Sequence, residues 1–133
     1  MNRIFLDANV LFSAAYRPAA GLLQLWRLKG TQLLTSRYAC EEARANLDRE
    51  EQRLRLDHLS EKLEFTEAGV RPPPRGVSLP DKDMPILLAA LAAHCTHLLT
   101  GDIRHFGPYL GRKIEGMWVM LPGDYLRAVR GQE

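Results

Sequence analysis

The chain reads as an α/β domain on a mainly parallel sheet, and three observations carry that reading. Short apolar runs alternate with stretches of helical periodicity, the pattern of strand, helix, strand. The runs Ile4-Phe5-Leu6 and Leu98-Leu99 are continuous rather than alternating, which suits strands covered on both faces. Acids follow both runs closely, Asp7 at once and Asp102 two residues after Thr100. Ligands of open α/β sheets bind outside the carboxyl ends of strands.

Taken in order, strand one is Ile4 to Leu6, and Asn9 is placed to cap a helix through Val10 to Ala15. Pro18 opens a second helix, with Leu22, Leu25, Trp26 and Leu28 on one face and Gly30 at its end. Gln32 to Thr35 is strand two. Ser36 caps the next helix, which runs through Glu42 to about Asp48. The charged stretch Asp48 to Lys62 carries Leu56, Leu59 and Leu63 at helical spacing, so its charges form a solvated face. Arg71-Pro72-Pro73-Pro74-Arg75-Gly76 is a stiff extended linker inside one domain, and it could also face a substrate. Met84 to Ala93 is apolar on every face, which predicts a helix buried all round, with Pro85 tolerated in its first turn. His97 to Thr100 is the next strand and Met117 to Leu121 the last, before a short helix starting at Pro122.

At 133 residues, 46% hydrophobic and 26% charged, the chain is a single globular domain over residues 1–133 rather than a disordered one. No run approaches the roughly 18 apolar residues of a membrane span. The early charge at Arg3 does not suit a signal peptide, so the expectation is a cytoplasmic protein with no membrane partner. Cys40 and Cys95 lie in apolar helical stretches without metal-ligand spacing and read as small buried hydrophobes in a reducing compartment. The formal charge is +2, and fourteen of the 18 basic residues are arginine, a phosphate-binding side chain. That composition is compatible with nucleic acid and does not establish it.

Four acids remain to be explained: Asp7, Glu42, Asp83 and Asp102. Two carboxylates about 4 Å apart repel by roughly 4 kcal/mol at an effective dielectric near 20, so four on one rim require cations or raised pKa values. Two Mg²⁺ or Mn²⁺ ions would balance them. Each acid also has a plainer role. Asp83 could be only a helix cap, Asp102 only a turn residue after Gly101, and periodicity does not choose Glu42 over Glu41. Asp7 has the least convincing plain role, because a charge directly after three large apolar residues needs a partner.

Phe5-Leu6-Asp7-Ala8-Asn9-Val10-Leu11, Ser36 to Glu42 with Leu47 beyond, Asp83 with Ile86 and Ala89-Ala90, and Leu99-Thr100-Gly101-Asp102 together resemble the PIN domain. That family consists of metal-dependent nucleases and includes the VapC-type toxins of toxin–antitoxin pairs. The likeness spans nearly the whole chain and implies a three-layer α/β/α fold. It implies that Asp7, Glu42, Asp83 and Asp102 hold metal and are catalytic. Glu42 is selected over Glu41, and Asp83 over Asp81, which becomes a supporting residue. Asn9 and Thr100 match polar residues that orient such a site. Ala8 departs from the threonine or serine common in relatives. His105 stands near the position of a further acid in some members, and is expected to be either a phosphate contact or, by preference, a surface residue.

The resemblance implies hydrolysis of RNA phosphodiester bonds by metal-activated water, with Mg²⁺ or Mn²⁺ as cofactor. It also implies a homodimer and an antitoxin partner. Arg17, Arg37, Arg75 and Arg104 are candidate phosphate contacts, chosen by nearness to the rim. The alternatives are a PIN-like binding module without catalysis and a housekeeping RNA-processing nuclease. A phosphoryl-accepting receiver fits poorly, since Asp7 has no adjacent acid and no lysine follows the late strands.

Overall fold

The computed structural model describes residues 1–131. Five strands run β1 (Asn2–Leu6), β2 (Thr31–Ser36), β3 (Glu64–Thr66), β4 (His97–Leu99) and β6 (Met117–Met120), all parallel; β5 (Arg112–Ile114) is antiparallel to β6. The sheet order is β3-β2-β1-β4-β6-β5. Six α-helices accompany it: α1 (Ala8–Ala15), α2 (Arg37–Asn46), α3 (Glu50–Ser60), α4 (Met84–Ala92), α5 (Ile103–Phe106) and α6 (Pro122–Arg130). The result is the three-layer α/β/α domain, with β1 at its centre. Ile4, Phe5, Leu6, Leu34, Leu98, Leu99 and Val119 are completely buried, as continuous apolar strands between helical layers must be.

From β1 the chain winds outward through β2 to β3, then returns past β1 to lay down β4 and β6. The strand order therefore reverses between β1 and β4, creating a crevice at their carboxyl ends. Leu6 is opposite Leu99, and the Asp7 amide donates to the Leu99 carbonyl at 3.1 Å. That register sets Asp7 beside Thr100.

Several elements depart from expectation. The cap of α1 is Asp7, whose carboxylate accepts from the Ala8 amide, rather than Asn9. No helix opens at Pro18; a 3-10 helix spans Gly21–Arg27 and ends before Leu28. Ser36 does cap α2, its hydroxyl accepting from the Ala39 amide at 3.1 Å, but α2 stops at Asn46. Strands β3 and β5 were not anticipated; at three residues each they show no usable period. In α4, Ile86 through Ala90 are buried, while Ala92 at its end is exposed. Cys95 follows that helix instead of lying within it. It is buried, Cys40 is half-buried, and both are free thiols. Burial pushes the Cys95 thiol up to about 12, which keeps it protonated and inert.

The proline-rich linker is tied down. Arg71 makes a two-point contact with Glu115, at 2.8 and 2.5 Å, and the Tyr109 hydroxyl both accepts from the Ser78 amide and donates to its carbonyl. No helix among the described residues is long and apolar enough to cross a membrane.

Candidate metal centre

All four acids reach one cleft of about 530 Å³, which Asn9, Phe12, Asn46 and Lys82 also line. Asp7 enters from the end of β1, Glu42 from α2, Asp83 from the residue before α4, and Asp102 from the cap of α5. The crevice where the strand order reverses supplies two of these positions, the start of α4 supplies Asp83, and the body of α2 supplies Glu42. Glu41, the neighbour that periodicity could not separate, faces a different hollow with Ser36 and Arg37. Asp81 is exposed and does not line the cleft.

Asp7 is 4% exposed, and its carboxylate is held on both oxygens. Oδ1 accepts from the Ala8 amide at 2.6 Å; Oδ2 accepts from Thr100 Oγ1 at 2.7 Å and from Asn9 Nδ2 at 3.1 Å. Asn9 then accepts from the Gly101 amide at 2.6 Å, and Thr100 Oγ1 accepts from the Asp102 amide at 3.1 Å. These bonds lock the loop after β1 to the loop after β4. Gly101 suits that closeness, since a Cβ there would lie 3.2 Å from Asn9 Oδ1. Burial nevertheless dominates the bonds and raises the Asp7 carboxyl to about 6.

Asp83 caps nothing with its side chain, so its plain role is excluded. Asp102 does accept from the His105 amide at 3.0 Å, so it is both a cap and a cleft residue. His105 Nδ1 sits 2.9 Å from Asp102 Oδ2 and 3.0 Å from Asp83 Oδ2. One ring nitrogen cannot aim a single hydrogen at both oxygens, and its hydrogen-bond geometry is met with Asp102. Asp83 Oδ2 is left buried with no hydrogen-bond donor. Desolvation raises the Asp83 carboxyl, with His105 and Lys82 acting against it.

A buried carboxylate oxygen without a donor calls for a cation. Asp83, Asp102 and His105 can each offer an atom within 4.8 Å of the others, and Asp7 and Glu42 line the same cleft. The residues fit a divalent ion.

His105 is the clearest correction: it is not a surface residue but the link between two of the acids. Its spacing of three from Asp102, one turn along a helix, was the available signal. Lys82, Phe12 and Asn46 were missed as lining residues; Lys82 could have been found only from its adjacency to Asp83. Tyr38 was missed too. Its hydroxyl donates to the Lys82 carbonyl at 2.7 Å and so ties α2, the source of Glu42, to the turn carrying Asp83. Of the candidate arginines, Arg17 lines a groove adjoining the cleft and Arg37 faces hollows beside β3. Arg75 and Arg104 are exposed.

An α/β domain with four carboxylates gathered where its strand order reverses defines a class: proteins with an acidic divalent-metal pocket on a parallel sheet. Residues 3–104 match the family profile described as PIN domain, and the chain belongs to that family. Solved structures of similar fold include VapBC2 from Rickettsia felis bound to a DNA fragment from its promoter. The TM-score is 0.62 at 16% identity, over 90% of this chain and 98% of that one. VapBC-1 from nontypeable Haemophilus influenzae is similar at a TM-score of 0.56 and 15% identity, over 91% and 98%. No curated protein matches the chain in sequence.

Proposed function

We propose that this PIN domain is a Mg²⁺- or Mn²⁺-dependent endoribonuclease that hydrolyses RNA phosphodiester bonds, and that it is the toxin of a toxin–antitoxin pair. The observation that carries the nuclease reading is the convergence of Asp7, Glu42, Asp83 and Asp102, with one buried Asp83 oxygen lacking any donor. The antitoxin is supported by the likeness to the two VapBC complexes, and a homodimer is proposed from the family resemblance alone.

In this reading the four carboxylates hold the metal, and His105 completes the set or orients Asp102 and Asp83. A bound ion supplies Lewis acidity, easing deprotonation of the attacking water and balancing charge on the phosphate. Asn9 and Thr100 fix the rotamer of Asp7 and favour its charged form against burial. Lys82 carries the one basic side chain lining the cleft among the described residues, and it is placed to meet a phosphate oxygen.

The test is cleavage of a labelled RNA by the purified protein with EDTA and with added Mn²⁺. Cleavage should require the metal and vanish in Asp7→Asn and Asp102→Asn, while far-UV circular dichroism is unchanged. Full activity of Asp7→Asn would sink the assignment. Co-purification with the product of an adjacent small reading frame tests the antitoxin.

A further inference from the structure

A second concavity adjoins the acidic cleft. It is a groove of about 480 Å³ between the end of α1, the 3-10 helix and α6. Phe12 lines both the cleft and the groove, so the two are neighbours across one side chain. Phe12 and Tyr16, one helical turn apart, lie with ring centroids 5.4 Å apart and planes at 41°, and Tyr16 is 53% exposed. Arg17, Arg127 and Arg130 contribute charge, and no Asp or Glu lines the groove among the described residues. Arg127 is engaged by Asp124, whereas Arg17 and Arg130 have no acidic partner among the described residues.

We infer that this groove binds the single-stranded RNA flanking the scissile phosphate, with bases against Phe12 and Tyr16 and phosphates on Arg17 and Arg130. An exposed tyrosine ring with a half-buried phenylalanine beside it, next to arginines that have no acidic partner among the described residues, is what a single strand needs, because every base has a stackable face and every nucleotide a negative charge. An acidic peptide would use the arginines but has no need of two aromatic rings leading toward the metal acids. An extended polyanion reaching the cleft must leave it somewhere, and this is the basic, aromatic exit. The inference rests on the proposed nuclease activity, and it makes the opposite charges of cleft and groove complementary to one ligand.

The experiment measures anisotropy of a short fluorescein-labelled oligouridine in EDTA, where no cleavage occurs, across a NaCl series. Arg17→Gln with Arg130→Gln should weaken binding and flatten the salt dependence by about 1.4 in log–log slope, at roughly 0.7 per phosphate contact on a single strand. Tyr16→Ala should weaken binding about tenfold while leaving that slope unchanged, the signature of lost stacking rather than lost charge. Both sites are exposed, and unchanged circular dichroism and urea midpoints keep the comparison valid. If the variants bind oligouridine as the wild type does, the groove is not the track, whereas RNA cleavage by metal-loaded wild type would still uphold the nuclease. If the wild type neither binds nor cuts RNA, both readings fall. Binding of polyglutamate but not oligouridine, lost in the double variant, would assign the groove to an acidic protein segment and overturn the proposal. So would a change in sedimentation showing that the substitutions separate two copies of the chain.

Discussion

Neutralising Asp7 should make the metal-free protein more stable at neutral pH, even though it destroys the proposed site. The folded-state carboxyl lies at about 6 against an ordinary 3.8, with burial as the main cause. Because the folded pKa is raised, the folded state binds this proton more tightly. The corresponding stability is present below pH 3.8 and lost as pH rises through 6. Each factor of ten in proton affinity corresponds to about 1.4 kcal/mol, so the loss reaches about 3 kcal/mol by pH 8. Asparagine at position 7 carries no charge and does not suffer it. Its amide cannot accept as the carboxylate Oδ2 does from Thr100 and Asn9, which imposes a pH-independent offset of about 1 kcal/mol. The readout is therefore the difference between Asp7→Asn and wild type as a function of pH. Urea unfolding in EDTA from pH 4 to pH 8 should show the variant gaining about 2 kcal/mol or more on the wild type across that range. Contributions from other acids, Asp83 included, cancel to first order in the comparison. Mn²⁺ at pH 8 should then raise the wild-type midpoint and leave that of the variant nearly unchanged. A variant-minus-wild-type difference that is flat with pH would refute the picture of Asp7 as a buried charge awaiting a cation.

Asp83→Asn should weaken Mn²⁺ binding by isothermal titration at least tenfold, since an amide is a poor replacement for the charged oxygen that has no donor. Tyr38→Phe removes the bond to the Lys82 carbonyl and should cost about 0.5–1 kcal/mol in urea unfolding, with a larger proportional loss of Mn²⁺ affinity. Gly101→Ala places a Cβ 3.2 Å from Asn9 Oδ1 and should cost about 1 kcal/mol, with protection of the amide at that position from hydrogen exchange reduced. Leu99→Ala, in the fully buried strand opposite Leu6, should cost roughly 2–5 kcal/mol by the same unfolding measurement.

What could be read from the sequence was whatever left a local mark. Asp7 stood out because it interrupts an apolar run, and Ser36 because a capping hydroxyl precedes a helical period. β3 and β5 left none: three residues cannot display a period, and their strand geometry is imposed by the neighbours they pair with. The 3-10 helix was read as a helix from its apolar spacing, since Leu22, Leu25 and Leu28 fit a three-residue turn about as well as a longer one. Glu42 and Glu41 were inseparable by period, and only the family likeness preferred the one that lines the cleft. The surface reading of His105 failed for a tertiary reason. Its contact with Asp83 spans two elements, and no local rule shows that α5 folds back toward the start of α4.

The tie between Thr100 and Asp7 joins residues 93 positions apart. A chain emerging from the ribosome delivers Asp7 long before Thr100 and Asp102. Until β4 has been made, β1 has no neighbour on that side and the pocket has only part of its acid set. The full acid set, and with it the affinity for a cation, can therefore arise only late in synthesis, once the last of the four carboxylates has been made.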